Sequence, residues 1–339
     1  MQAMVIVPST DGGTLELQNV PDPVPGPGEL LLRVRATALN RADLAQRRGA
    51  YPAPVKASDS GLAIAGLEAA GEVVGLGSEV AGFTVGDRVM AMCAGAYAEL
   101  VTVDYRLAVR VPDRLSWEAA AAVPVAYMTE HDALITNARL QAGESVLINA
   151  ASSGVGVAAI QIAKSWGARP VIGTSGVPQK LAALAELGLD VGINYRTDNF
   201  ADAVLAATDG RGIDVVIDHV GAPYLADNLR CMALRGRLVS VGRLGGGKGE
   251  FDLDVLALKR LQFIGVTFRT RTLDERIAIA QRFTADLLPA LTDGRLRPLI
   301  DRVFPLPEAL AAQTYLASNA QVGKIVLIVT NGVSLLETY

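Results

Sequence analysis

The segment best suited to chemistry by residue type and spacing is Ser145-Val146-Leu147-Ile148-Asn149-Ala150-Ala151-Ser152-Ser153-Gly154-Val155-Gly156. It reads as a buried strand, a tight turn of tiny side chains, then a helix. A pyrophosphate must approach backbone N–H groups at a helix N-terminus, so the side chains there have to be small. Ala151, Ser153 and Gly156 stand at the three positions of a G-x-G-x-x-G fingerprint, with Gly154 and Val155 between the last two. Two of the three are not glycine, so the signal lies in the placement between strand and helix. The competing reading is an ordinary small-residue turn with no ligand.

The end of the second strand bears on which dinucleotide such a turn would take. An enzyme that uses NAD places Asp or Glu there to hold the ribose 2′-hydroxyl. Here the strand runs Val171-Ile172-Gly173-Thr174-Ser175-Gly176 without an acid. Ser175 can donate to a phosphate, Lys180 follows in the first turn of the next helix, and Tyr195-Arg196 ends the third strand. A 2′-phosphate needs donors and positive charge and rejects a carboxylate. The expected cofactor is therefore NADPH, although Lys180 also reads as a solvated helix lysine.

A second glycine run fits most of a nucleotide P-loop: Gly242-x-x-x-x-Gly247-Lys248. Gly249 then stands where a metal-binding Ser or Thr is required, and the run follows the fifth strand rather than the first. It reads instead as a flexible loop at the carboxyl end of the sheet, with Gly242 facing the nicotinamide.

The elements that must position these residues alternate from residue 145 onward. Strands are expected over 145–149, 170–174, 191–195, 214–218, 237–242 and 263–268, with helices between them. The first helix carries Val155, Ala159, Ile162, Ala163 and Trp166 on one stripe and Gly167 just past its end. Such alternation implies right-handed crossovers and an α/β fold with a doubly wound parallel sheet of six strands. The first third of the chain reads as β. Leu30, Leu32 and Val34 alternate with Arg33 and Arg35, and short strands follow over 72–76, 88–92 and 96–103 between glycine turns. That pattern suggests a small antiparallel barrel or sandwich. Ser116 can cap a helix starting at Trp117, which Pro124 breaks before a second helix runs to about Arg139. The tail predicts helices over 274–288 and 307–318, then a strand over 324–329 that returns to the first domain.

Composition narrows the classes further. The 339 residues are 50% hydrophobic and 19% charged, which fits about two compact domains and excludes disorder. Lys and Arg total 31 against 35 Asp and Glu, so no basic surplus points to nucleic acid or an anionic membrane. Cys93 and Cys231 are the two cysteines, too few for a disulfide scaffold or a four-Cys zinc site. The start has no charged n-region, and the apolar run from Ala119 to Met128 is too short to span a bilayer. A cytoplasmic location is expected.

The order of parts resembles the medium-chain dehydrogenase/reductase superfamily. The closest resemblance is to the zinc-free zeta-crystallin-like quinone oxidoreductases, especially the tumour-suppressor-inducible quinone oxidoreductase branch. It is carried by Ala38-Leu39-Asn40-Arg41-Ala42-Asp43-Leu44, Gly49-Ala50-Tyr51, Gly66-Leu67-Glu68-Ala69-Ala70-Gly71, Gly86-Asp87-Arg88-Val89, the fingerprint, Asn194-Tyr195-Arg196 and Gly323-Lys324-Ile325-Val326-Leu327. These span nearly the whole chain. The resemblance implies a β-rich GroES-like barrel domain over 1–122 and 268–339, which binds substrate, and a Rossmann NADPH-binding domain over 123–267. It also implies NADPH-dependent, metal-independent hydride transfer to a quinone or an α,β-unsaturated carbonyl. The zinc alcohol dehydrogenases of the superfamily place metal ligands where this chain has Asn40, Leu67 and a residue near Val125, none of which is a plausible zinc ligand.

By the same resemblance, Tyr51, Asn40 and Thr129 match residues at the acceptor site and are the candidate catalytic residues. Tyr51 is the best candidate to hydrogen bond the substrate oxygen or relay a proton. Each has a plainer reading: a loop tyrosine, a turn or cap, and a helix threonine bonding its own backbone. Phe268, which follows the sixth strand and can border the pocket, and Lys324, from the tail motif, join the expected cofactor contacts. Glu130 and His131 stand where relatives mostly carry small or apolar residues; they read as altering the pocket or as facing solvent, and solvent is the favoured expectation. His219, after the fourth strand, reads as a core or ribose-facing residue, and Arg269 and Arg271 as pocket-bordering or solvated.

Two alternatives stay open. One is an enoyl reductase acting on thioesters or a pathway intermediate, for which Arg47, Arg48 and Lys56 are candidate rim charges. The other is an NADPH-binding protein with little catalysis. The apolar edge strand from Phe263 to Phe268 predicts a homodimer that extends the sheet.

Overall fold

The computed structural model describes residues 1–10, 12–51 and 61–330, so Lys56 lies outside the described residues. The chain divides into two compact units, Met1–Val125 with Thr272–Tyr339, and Ala126–Arg271.

The first unit is built on β-structure. Gln2–Val7 and Thr14–Asn19 pair as an antiparallel hairpin. The main sheet runs in the order Ile300–Pro305, Lys324–Ile328, Glu29–Ala38, Glu68–Leu76, Arg88–Met92, Val109–Arg110, and Leu100–Asp104 also pairs with Glu29–Ala38. Among the described residues this ladder is an open path with no closing pair. Two register shifts against Glu68–Leu76 bend the long strand. Its alternation is obeyed. Leu30, Leu32 and Val34 are fully buried in the core, whereas Arg33 and Arg35 are partly exposed. The tail strand Lys324–Ile328 completes this sheet, antiparallel to Glu29–Ala38 and parallel to Ile300–Pro305. Ser116 caps Trp117–Ala121, its hydroxyl accepting from the Ala119 N–H at 3.2 Å.

The second unit holds six parallel strands in the order Val191–Asn194, Val171–Ser175, Val146–Ile148, Ile213–Asp218, Met232–Ser240, Gln262–Gly265. The order reverses between Val146–Ile148 and Ile213–Asp218, which makes the sheet doubly wound and puts the ligand crevice at that reversal. The sixth strand stops at Gly265 and does not reach Phe268. Beyond it the chain turns on itself, with the Arg271 Nε–H bonded to the Thr267 carbonyl. The helix Pro124–His131 is expected to continue in one form to about Arg139. Instead Asp132–Asn137 winds more widely, with the Ala138 N–H reaching back to the Ala133 carbonyl at 2.8 Å.

Candidate active site

The fingerprint is positioned as its residue types require. Val146–Ile148 is wholly buried, and Ala150 turns the chain at φ +55°. The Ala151 N–H donates to the Thr174 carbonyl at 2.9 Å. Ser153 caps Gly154–Ser165, its hydroxyl accepting from the Gly156 N–H at 3.0 Å. A Cβ on Gly156 would lie 2.5 Å from the Ala151 carbonyl oxygen, so glycine alone lets helix and turn approach this closely. Ala151, Ser153, Gly154, Val155 and Gly156 thus form one small-residue turn at a helix N-terminus, a cradle suited to a dinucleotide's pyrophosphate.

The structure also gathers the residues expected to choose the dinucleotide. The Ser152 and Ser175 hydroxyls are 3.3 Å apart, which links the turn to the end of the second strand. A Cβ on Gly176 would meet the Tyr195 hydroxyl at 2.7 Å and Arg196 Nε at 2.9 Å. Tyr195 and Arg196 therefore cover Gly176 beside Ser175. Lys180 is half-buried in the first turn of Pro178–Ala185.

The loop holding Gly242 is anchored, contrary to the flexible loop expected. The Gly242 N–H bonds the Asp218 carbonyl, Leu244 bonds His219, Gly245 bonds Val220, and the Gly246 carbonyl accepts from Ala222. A Cβ on Gly242 would lie 2.6 Å from the His219 carbonyl oxygen, so the loop lies flush on the end of the fourth strand. Phe268 is half-buried with the Arg271 guanidinium 5.7 Å from its ring centroid. Arg271 pairs with the buried Asp132, so it is not a freely solvated charge.

Glu130 and His131 are buried, correcting the expectation that they face solvent. The His131 ring packs edge-on to Trp166 at 6.2 Å between centroids. Glu130 Oε1 lies 2.8 Å from His219 Nε2, while His219 Nδ1 lies 2.9 Å from the Asn149 carbonyl oxygen. Burial opposes charge on the imidazole, but the Glu130 carboxylate, the Asn149 carbonyl and Asp218 outweigh it, and the His219 pKa is raised. Asp218 is held by the N–H groups of Val220 and Gly221, and burial pushes its pKa upward. Thr129, the candidate catalytic threonine, is partly buried one residue before Glu130. The Glu130–His219 pair was missed because its members stand 89 positions apart. The signal was present as two titratable residues at unusual places.

The first unit holds a second buried cluster around Asn40. The Lys324 ammonium donates to the Leu39 carbonyl at 2.8 Å, Asn40 Oδ1 at 2.8 Å and Glu68 Oε1 at 2.7 Å. All three of its donors are spent, so the cofactor contact expected of Lys324 has no donor left. The Asn40 amide gives its N–H groups to Glu68 Oε1 at 2.8 Å and the Ala38 carbonyl at 3.3 Å, so it can offer a ligand an acceptor and no free donor. Glu68 Oε2 accepts from the Val125 N–H at 2.7 Å. Asp43 accepts from the Asn40 N–H and the Tyr97 hydroxyl, and burial lifts its pKa to about 7. Tyr51 is half-buried next to the segment outside the described residues.

The described residues around Asn40 do not form a metal site. Asn40 and Val125 are committed to Glu68, Leu67 has no donor atom in its side chain, and among the described residues no three His, Cys, Asp or Glu converge on a possible ion. Among the described residues no helix is long and apolar enough to cross a membrane.

A β-rich unit made from both ends of the chain, with a doubly wound nucleotide-type unit between them, defines a two-unit dehydrogenase or reductase. Known proteins carry the same organisation. The alcohol dehydrogenase GroES-like domain matches residues 26–113 and the zinc-binding dehydrogenase family matches residues 154–284. A quinone oxidoreductase of Pseudomonas aeruginosa is 38% identical over 320 residues, covering 93% of this chain and 95% of its own. The structure is similar to that of a mycobacterial protein in complex with NADPH, with a TM-score of 0.85 and 30% identity over 97% of this chain and 100% of the other. It is also similar to the CurK enoyl reductase, with a TM-score of 0.81 and 27% identity over 97% of this chain and 99% of the other. The chain belongs to the medium-chain dehydrogenase/reductase superfamily, and its fold is a Rossmann-type sheet with a separate GroES-like domain.

Proposed function

We propose that this chain is an NADPH-dependent, metal-independent oxidoreductase that transfers hydride to a quinone or an α,β-unsaturated carbonyl. The observation that carries the reading is the convergence of Ser175, Gly176, Tyr195 and Arg196 at the strand ends. Hydroxyls and a guanidinium beside strand ends that carry no carboxylate support a site for a 2′-phosphate. The Gly156 cradle supports binding of the pyrophosphate, and the NADPH complex of a similar structure and the quinone oxidoreductase relative point the same way.

The dinucleotide supplies the hydride when bound. Ala151, Ser153, Gly154, Val155 and Gly156 hold its pyrophosphate, and Ser175, Lys180 and Tyr195 its 2′-phosphate. Tyr51 is the proposed donor to the acceptor's oxygen, with Thr129 beside the reacting ring. Asn40 keeps an acceptor role at most, because its amide N–H groups are engaged.

NADPH oxidation is measured with a quinone, an enone and an enoyl thioester, comparing the natural chain with Tyr51→Phe. Turnover of quinone or enone that falls at least about tenfold in Tyr51→Phe is expected. Tighter binding of NADH than NADPH, or stoichiometric zinc in the active protein, would overturn the reading. Preference for the thioester would favour the second reading, an enoyl reductase, which the similarity to the CurK enoyl reductase supports. Binding of NADPH with no acceptor reduced would favour a binding protein.

We also propose a cytoplasmic homodimer. The edge strand Gln262–Gly265 leaves Phe263 46% exposed, and Leu253 and Leu258 are exposed in the same unit. Light scattering should give twice the chain mass; a monomer at micromolar concentration would contradict it.

A further inference from the structure

We propose that Glu130 and His219 share one buried proton, and that this proton keeps the ring where its Nδ1–H pins the Asn149 carbonyl and so holds the phosphate-binding turn in its binding form. The second half rests on the dinucleotide reading given above.

The proton count follows from geometry. The Asn149 carbonyl can only accept, so His219 Nδ1 at 2.9 Å carries a hydrogen. On the other side of the ring, Nε2 is 2.8 Å from Glu130 Oε1, a contact that requires a proton between the two atoms. That proton sits formally on the imidazole or on the carboxyl, and the pair is neutral overall in either case. Its removal would face a nitrogen lone pair with a carboxylate oxygen where Glu130 is 0% and His219 3% exposed. Glu130 Oε2 has no hydrogen-bond partner among the described residues, so nothing else steadies the anion. Loss of the proton must therefore push the two side chains apart.

The pair stands at the point that matters for ligand binding. Asn149 directly follows Val146–Ile148, and His219 directly follows Ile213–Asp218. These strands are parallel neighbours at the reversal of strand order, where open α/β sheets take their ligands. Next to Asn149, Ala150 is held at φ +55°, a conformation that its surroundings must impose. The Asn149 side chain is tied to Asn228 and Thr174, and its carbonyl to His219. Other charges near the ring are few. Asp218 on its own strand is turned to the N–H groups of Val220 and Gly221. The loop after the fifth strand lies on His219 through Gly242 and Leu244, with Arg243 between them. The helix Leu225–Cys231 presents the neutral Asn228 to Asn149. Glu130 is thus the carboxylate that bonds the ring, and His219 acts on the cofactor as a positioning residue.

The test uses the full chain. Imidazole NMR follows His219 from pH 7 to 10, its signals separated from those of the chain's other histidine, His131, with a His131→Gln variant. NADPH affinity is measured by fluorescence over the same range. In the natural chain His219 should titrate above the ordinary imidazole range, and NADPH affinity should fall on the order of tenfold with the same midpoint. In Glu130→Gln the amide can donate to Nε2 without a shared proton, so the His219 step leaves this range and the affinity profile flattens. A purely structural role would not move the pH profile. His219 titrating at or below the ordinary range overturns the shared proton, a result readable without the variant. NADPH affinity whose pH profile ignores the His219 midpoint, or is unchanged in Glu130→Gln, overturns the positioning role and leaves the dinucleotide reading intact. No NADPH binding at any pH overturns the dinucleotide reading and the positioning role together, while the NMR result still judges the proton.

Discussion

Two buried carboxylate–cation clusters, one from each unit, are built to opposite ends. In the first unit the Lys324 ammonium spends three donors on Leu39, Asn40 and Glu68, and the second oxygen of Glu68 takes the Val125 N–H. Donors and acceptors match, and the cation is one whose ordinary pKa lies far above neutrality. In the second unit Glu130 bonds His219 through one oxygen and leaves the other without a partner among the described residues. Its cation is an imidazole, the side chain that ordinarily changes charge near neutrality. The identity of the neutralising cation thus separates a cluster that braces a fold from one that can respond to pH.

The largest expected effect breaks the first cluster. Lys324→Met removes the ammonium and strands Glu68 at 0% exposure without its counter-charge. Breaking one side of a buried pair costs about 3–5 kcal/mol, and urea unfolding should show a loss of that size. Adding Glu68→Gln should recover much of it, because the uncompensated charge is then gone. A loss below about 1 kcal/mol would mean that the cluster is not a brace.

The next prediction probes the boundary of that brace. Asp43 touches the same network through the Asn40 N–H, and its pKa is lifted to about 7 by burial. A carboxyl raised in the folded state holds an extra proton between its ordinary value and the raised one. Stability is therefore full at acid pH and falls as the pH rises through about 7. Asp43→Asn removes this dependence. Between pH 4 and pH 8 the difference in unfolding free energy should move by about 2–4 kcal/mol in the variant's favour. Parallel curves for the two proteins would show that Asp43 stays charged throughout, and the first unit would then lack any response near neutrality.

Much of the architecture was legible because it rests on local rules. The alternation of Leu30, Leu32 and Val34 with Arg33 and Arg35 gave the buried face of the long strand. Small residues between a strand and a helix located the fingerprint, and the missing acid after Thr174 led to Ser175, Tyr195 and Arg196, which the fold brings together. The sixth strand reads as running to Phe268 because its apolar composition continues past Gly265, where pairing ends. The two charge clusters were not legible. Lys324 and Glu68 are 256 positions apart and Glu130 and His219 are 89 apart, so no periodicity connects them. A lone charged residue beside an apolar helix reads as surface until its partner is known. Glu130 and His131 read as solvent-facing for that reason.

A smaller effect sharpens the second side of the comparison. Gly156→Ala sets a Cβ 2.5 Å from the Ala151 carbonyl oxygen, with backbone on both sides of the contact. Overpacking of this kind costs about 1–3 kcal/mol, and the turn must shift to admit it. Thermal unfolding should register the loss, and NADPH affinity should fall with it. A destabilised variant that keeps full affinity would mean that the cofactor does not use this turn.

Thr174→Val asks how the turn is shared between its two sides. The Thr174 hydroxyl donates to Asn149 Oδ1 at 3.3 Å and accepts from the Ala150 N–H at 3.3 Å, holding the turn from the second strand as His219 holds it from the fourth. Both contacts are long, and valine replaces the hydroxyl with a methyl of similar size in a fully buried place. The loss in urea unfolding should be about 1 kcal/mol. It should also be constant with pH, since a hydroxyl does not titrate in this range. The contrast is with Glu130→Gln, which should change the pH profile of cofactor affinity. A Thr174→Val loss above about 3 kcal/mol would move the weight of the turn from the His219 side to the Thr174 side. The raised imidazole pKa would then describe a residue that the turn does not depend on.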